Sequence, residues 1–292
     1  MAKLPKRRRR RCPLPAQDVA PWTAEGRFEP VTESTQTVVL TWDDLPPEFS
    51  FVIAGVQTGP RPGWWEPPPG TALEASWVLY PDDVPPPLRP LIVLTGALAL
   101  YWVLDDLRLA PTLHWPSQLC IGDRIVGGVR TDAHDLDGPV ALGAGIYVGL
   151  SRHQIPAGHR GRITSVAIVG SRADRMEIFV RFQDHLRRLY RQLEEDPEVV
   201  LASYRAACST LGRRVRVESH GSPVEGLAVD LDSDGRLVLD TGDRLTGPVA
   251  IVGPPRARTA LRVCVPILGM SVLSASGVVC TRRLRRALTA GR

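Results

Sequence analysis

Leu113-His114-Trp115-Pro116-Ser117-Gln118-Leu119, followed by Gly122-Asp123-Arg124-Ile125-Val126-Gly127-Gly128-Val129, is the stretch from which the fold is read. Its β-branched residues around a glycine pair predict a strand over residues 121–131. Val140–Gly149 predicts a second strand, and the polar run Asp132 to Gly138 is the turn that pairs the two. His114 then sits at a strand end, where it is either a general acid/base or a hydrogen-bonded framework residue. The stretch holds no lysine, and the only lysines among the 292 residues are Lys3 and Lys6.

Outward from this stretch the chain alternates strands and helices. Thr37-Val38-Val39-Leu40 is an apolar run after Ser34-Thr35-Gln36. Phe49–Ala54 and Leu73–Tyr80 read as strands. Between them, residues 60–70 are dense in proline, glycine and tryptophan (Pro60, Pro62, Gly63, Trp64, Trp65, Pro67), which blocks ladder and helix bonds and predicts a loop. Leu91–Leu104 is uncharged and too short to span a bilayer, so a buried helix is expected. Met176–Glu195 spaces Ile178, Phe179, Phe182, Leu186, Leu189, Tyr190 and Leu193 at helical intervals between charges, which predicts an amphipathic helix. Val199–Leu211 continues as a shorter one. Residues 213–253 change to short alternating strands (Val224–Val229, Leu237–Leu239, Val249–Val252) separated by Ser233-Asp234-Gly235 and Thr241-Gly242-Asp243 turns, a small all-β unit with the proportions of a compact barrel. The fold class is therefore α/β (α+β).

Composition bounds the function. The chain is 43% hydrophobic and 23% charged, as globular proteins are. Its net charge of +5 is segregated: residues 1–11 carry +7 and residues 256–292 carry +8, which leaves −10 for the residues between. The basic ends predict contact with anionic lipid or nucleic acid without sequence preference, or simply solvated arms. Five scattered cysteines without a C-x-x-C pair argue against a zinc ribbon or disulfide framework and fit a reducing cytoplasm. Asp132, His134, Asp135 and Asp137 are metal-ligand types, but a hairpin turn is where such residues are ordinary, and no metal site is assigned. The uncharged segment 263–280, flanked by arginines, has the minimum length of a membrane span. Its Pro266, Gly269 and Gly277 weigh against that reading.

Five segments together resemble the biotin/lipoate-type protein ligases. Glu33-Ser34-Thr35-Gln36 is similar to that family's D-S-T-N segment. Ala54-Gly55-Val56-Gln57-Thr58-Gly59-Pro60-Arg61-Pro62-Gly63 is similar to its A-E-x-Q-T-A-G-R-G-R loop for biotin and adenylate. His114 to Val129 resembles the signature K-W-P-N-D followed, after a short gap, by K-L-A-G-I-L. Val140 to Val148 resembles V-x-x-G-I-G-I-N-V, and Tyr204 to Val217 with Gly226 to Leu237 resembles the entry and body of the C-terminal β-barrel. The resemblance implies a class II synthetase-like domain with a mixed central sheet over residues 28–211, a small β-barrel over 212–254, a basic leader 1–27 and a basic tail 255–292.

It also implies where a ligand would lie: Ser34, Thr35, Gln36, Gln57, Thr58, Pro60, Arg61, Pro62, Trp115 and Ile125. The departures fall on polar positions. The two signature lysines are His114 and Ile125. The glycine–arginine loop has become Pro60-Arg61-Pro62-Gly63, which removes backbone donors and leaves Arg61 as the one arginine to meet a phosphate. The family's asparagines are Gln36 and Tyr147. The second lysine supplies positive charge where the acyl-adenylate develops negative charge, and isoleucine cannot do so. Arg124 is adjacent, but neighbours on a strand face opposite ways unless the register shifts by one residue. The leading expectation is a diverged homologue without standard biotinyl-adenylate chemistry, acting as a ligand- or protein-binding or regulatory protein. The first alternative is an active ligase that uses biotin (or another carboxylic acid) and ATP with Mg to acylate a lysine of a biotin carboxyl carrier-like protein. The second is a membrane-tethered interaction protein.

Overall fold

The computed structural model describes residues 26–42, 46–59, 66–135, 138–217, 223–246 and 250–252. The predicted span 263–280, the basic ends and the Pro60–Trp65 part of the loop lie outside these residues. In chain order the central body contains β1 (Gly26–Thr32), α1 (Thr35–Leu40), β2 (Phe51–Gln57), β3 (Ala72–Leu79), α2 (Leu91–Asp106), β4 (Pro111–His114), β5 (Gln118–Ile121), β6 (Arg124–Ala133), β7 (Val140–Tyr147), α3 (Arg175–Glu195) and α4 (Pro197–Ala207). Its seven strands lie in the order β1-β2-β3-β7-β6-β5-β4. β1 and β2 run parallel and the remaining neighbours antiparallel, so the sheet is mixed as expected.

β3 is buried along its whole length because both faces of the sheet are covered, which explains its nearly continuous apolar run. One face packs against α2 and α3. α2 is apolar all round and lies in the core, as Leu91–Leu104 predicted. α3 starts at the N-cap Asp174, whose Oδ1 accepts from Glu177 N at 2.8 Å. It buries the seven apolar positions that its spacing marks out. Phe179 stacks on Trp77 with ring centroids 5.4 Å apart, and Trp77 Nε1 donates to Gln183 Oε1 at 3.2 Å. Among the described residues no helix is long and apolar enough to cross a membrane.

The predicted strand 121–131 is two strands. Gly122 adopts φ +62° and, with Asp123, turns the chain sharply between β5 and β6. The Thr37–Leu40 run is the body of α1, a short helix whose N-cap Ser34 accepts from Thr37 N at 3.3 Å.

After α4 come β8 (Arg214–Val217), β9 (Val224–Leu231), β10 (Leu237–Leu239), β11 (Arg244–Leu245) and β12 (Ala250–Val252). They form a five-stranded antiparallel sheet in the order β11-β10-β9-β8-β12. The expected barrel is met at this coarser level, as an antiparallel sheet. Its Val215, Ala228, Leu231, Leu237 and Leu239 belong to the same apolar cluster as the core of the central body.

Candidate functional site

The site is the face of the central sheet opposite α2 and α3. Directly paired residues of an antiparallel sheet share a face. The pairs Ser76–Gly143, Glu74–Gly145, Gly145–Gly128 and Ala72–Tyr147 therefore define one continuous strip. α1 covers one end of it through Val39, Val52, Val78 and Ala141. The loop after β7 covers the other end through Leu150, Ile155 and Ile163, packed with Ala72 and Tyr147. Between the covers the floor is Gly128 and Gly145, with Glu74 beside them.

The sequence-predicted polar residues converge at the α1 end. Thr35 N and Thr35 Oγ1 both donate to Gln57 Oε1 at 3.0 Å, and Thr35 Oγ1 lies 2.7 Å from Ser76 Oγ. The parallel β1–β2 pair makes this possible and extends past Gln57: Thr58 N donates to Thr32 O and Gly59 N to Glu33 O, both at 2.9 Å. Ser34 caps α1. Gln36 lies flat on β7 and donates to Arg130 O at 3.3 Å and Ala141 O at 3.2 Å. Gly143 makes room for it, since a Cβ there would sit 2.9 Å from Gln36 Cδ. Pro60, Arg61 and Pro62 lie outside the described residues.

One expected ligand position receives a different account. Trp115 is turned into the core, 4% exposed. Its backbone N–H donates to Thr210 Oγ1 and its Nε1 to Gly235 O, each at 2.9 Å. Tyr204 Oη donates to Pro116 O at 2.7 Å, and Ser209 N to Leu113 O at 2.8 Å. The Trp115-Pro116 turn, with its cis peptide bond, fastens the central sheet to α4 and the C-terminal sheet, and leaves no indole face for a ligand. His114 ends β4, with Nδ1 3.8 Å from Cys120 Sγ. Burial, and then the nearby Arg213, push its imidazole below its ordinary range, so it is neutral at neutral pH. Burial pushes the Cys120 thiol up to about 12, which makes it a poor nucleophile.

Ile125 is on the site face because of a β-bulge. Leu119 pairs with Gly127 and Cys120 with Ile125, so Val126 is an extra residue on β6. Without it, Arg124 would share the face of Gly128. With it, Ile125 does, together with Cys120 and Gln118. The one-residue shift is present and gives the position to the isoleucine. Ile125 N donates to Arg162 O at 2.8 Å, and Thr164 N donates to Ile125 O at 2.9 Å. This bridge aligns the backbone of Ile125 with that of Ile163, a member of the apolar cluster at that end of the strip.

Sequence reasoning missed Glu74, Ser76 and Ile163 as parts of this face. The available signal was the polar pair at alternate positions inside the otherwise apolar β3. Glu74 is 7% exposed. With Gln57, Gly55, Ala72, Pro68 and Gly70 it lines a small recess at the edge of the strip.

Comparison with known proteins agrees with this architecture. Residues 210–251 match the biotin protein ligase C-terminal domain. The chain is 34% identical over 170 residues to a biotin--[acetyl-CoA-carboxylase] ligase of Mycobacterium tuberculosis, covering 56% of this chain and 61% of the relative. The chain is similar to biotin protein ligases in its C-terminal segment and in its fold. It spans 61% of the length of that curated relative. The biotin protein ligase of Aquifex aeolicus, solved with biotin and ATP, superposes with a TM-score of 0.65 at 20% identity, over 79% of this chain and 99% of that one. A biotin protein ligase-like protein of unknown function from Silicibacter superposes with a TM-score of 0.59 at 16% identity, over 76% and 93%. The Leishmania major biotin protein ligase, solved with biotinyl-5-AMP, gives 0.54 at 20% identity, over 80% and 100%. At these identities the solved structures establish the fold.

Proposed function

We infer that this chain is a diverged biotin protein ligase homologue that binds biotin or a related acyl group, free or on a protein, without making a biotinyl-adenylate. The observation that carries the reading is Ile125. Its register puts it on the site face, bridged through its backbone to Ile163, where a cation would be required to stabilise a developing acyl-phosphate charge. The neutral His114 and the weakly acidic Cys120 supply no substitute. Thr35, Gln57 and Ser76 retain a compact donor–acceptor group of the kind that holds an amide-like ring. On this reading residues 28–211 are the binding body, residues 212–254 brace it, the partner is a carrier-like protein, and the compartment is the cytoplasm.

The 34% identity to a curated ligase favours a second reading, an active enzyme that adenylates biotin with ATP and Mg and acylates a carrier lysine. Arg61 would then have to meet the phosphates. The two readings separate in one assay. The full chain is incubated with biotin, ATP, Mg and a biotin carboxyl carrier fragment, and both pyrophosphate release and carrier biotinylation are followed. Biotin binding without either product is the expected result. Biotin-dependent pyrophosphate release would establish the second reading.

A further inference from the structure

We propose that the acidic surface formed by Glu48, Asp82, Asp83 and Glu194 is the docking site of the chain's own basic run, residues 6–11. This surface lies beyond the Leu79 end of β3, and the proposal does not depend on what the strip binds.

The fold gathers the four carboxylates from three segments. Glu48 is half-buried, and its Oε1 accepts from Tyr80 N at 3.0 Å. That bond sets it beside the turn that carries Asp82 and Asp83, where Asp82 N donates to Tyr80 O at 2.8 Å. α3 brings Tyr190 and Glu194 to the same place: Phe49, next to Glu48, meets the Tyr190 ring edge-on with centroids 5.6 Å apart. Burial first, then mutual repulsion, raise the pKa of Glu48 and of Glu194, with Asp82 and Asp83 acting on the one and Glu48 and Asp83 on the other. None of the four belongs to an ion pair of the described residues. Of the neighbouring arginines, Arg89 donates to Val84 O and Pro81 O at 3.4 Å, and Arg187 lies over the Phe49 ring, 4.6 Å from its centroid. The Tyr190 hydroxyl is an independent sign of a missing partner. Tyr190 is fully buried, its oxygen makes no hydrogen bond, and the charges of Glu48, Glu194 and Asp82 act on it. A guanidinium supplies both things this group lacks, N–H donors for an unpaired oxygen and positive charge among carboxylates.

The chain carries a segment of that chemistry. Residues 1–11 hold seven positive charges and no acid, whereas residues 12–255 sum to −10. The leader also enters the fold at this surface: β1 begins at Gly26, which pairs with Phe51, close after Glu48 in the chain. Residues 12–25 join Arg11 to Gly26 and span at most about 50 Å. Docking is therefore an intramolecular step, with an effective concentration on the order of millimolar. Asp43 and Asp44, outside the described residues, add acids to the chain just before Glu48.

The test uses the scarcity of lysine. Lys3 and Lys6 are the only lysines, so a zero-length carbodiimide, which joins an amine to a carboxylate in contact with it, reports on this segment alone. The full chain is cross-linked at low salt and the links within the monomer are mapped by mass spectrometry. Links from Lys3 and Lys6 to the body should fall mainly on Glu48, Asp82, Asp83 and Glu194. They should drop at least about tenfold in about 1 M NaCl, where charges are screened beyond ~3 Å. Glu48→Gln together with Glu194→Gln should also lower the links to Asp82 and Asp83 several-fold, with an unchanged far-UV spectrum. Links spread over exposed carboxylates elsewhere, such as Asp123, Glu177 and Asp240, or found only in cross-linked dimers, would overturn the proposal. So would the absence of links to the body, or links to Asp82 and Asp83 that the paired substitution leaves unchanged.

Discussion

His114 should make the protein sensitive to mild acid. Its folded-state pKa is lowered, chiefly by burial, so the unfolded chain takes up the proton more readily. Stability from the neutral imidazole is present above its ordinary value of 6.5 and is lost as pH falls below it. Thermal melts between pH 7.5 and pH 5, run as ~0.5-unit steps, should show a falling midpoint that His114→Gln partly flattens. An identical pH slope in the variant would remove His114 from the account. At this scale the sequence was legible in part. That His114 is a strand-end residue follows from its place before Trp115-Pro116. That its pKa is lowered follows first from its burial and then from Arg213, far along the chain, and the fold supplies both. The role of Trp115 was hidden for the same reason, because Thr210 and Gly235 are its partners.

At the scale of elements, the seat of α1 on β7 depends on one missing side chain. A Cβ at Gly143 would fall 2.9 Å from Gln36 Cδ and 3.0 Å from Gln36 Cγ. Gly143→Ala is therefore expected to push Gln36 off its two carbonyl acceptors and cost about 1–3 kcal/mol, the usual range for overpacking. The double variant Gly143→Ala with Gln36→Ala should recover part of that loss, since the clash is with the Gln36 side chain. Chemical denaturation of the two single variants and the double one gives the coupling directly. Strictly additive costs would show that Gln36 does not hold the helix. The helices α2 and α3 could be read from spacing alone, because burial of a stripe, or of a whole helix, is written in its own residues. The bulge at Val126 could not, since a register is a property of two strands and β5 was not separable from β6 in the sequence.

At the scale of the molecule, the C-terminal sheet should melt with the body. Leu237, fully buried, belongs to the apolar cluster that also contains Leu94, Trp115 and Val126. Leu237→Ala is expected to cost about 2–5 kcal/mol and to lower the single melting transition of the whole chain. Calorimetry and tryptophan fluorescence should report one coincident midpoint. A separate early transition, with the remainder unshifted, would mean that the sheet folds alone. The sequence by itself determined the α/β class, the buried α2, the amphipathic α3 and the short-stranded C-terminal unit, because periodicity, turn residues and segment order are local; Thr35 and Gln57 were marked by the family resemblance. Only the tertiary structure decided that Ile125 and not Arg124 faces the site, that Trp115 braces two sheets, and that Glu74 sits beside Gly145 on the floor. Each of these is a relation between strands or sheets distant in the chain, set by register and packing, and such relations have no local signature.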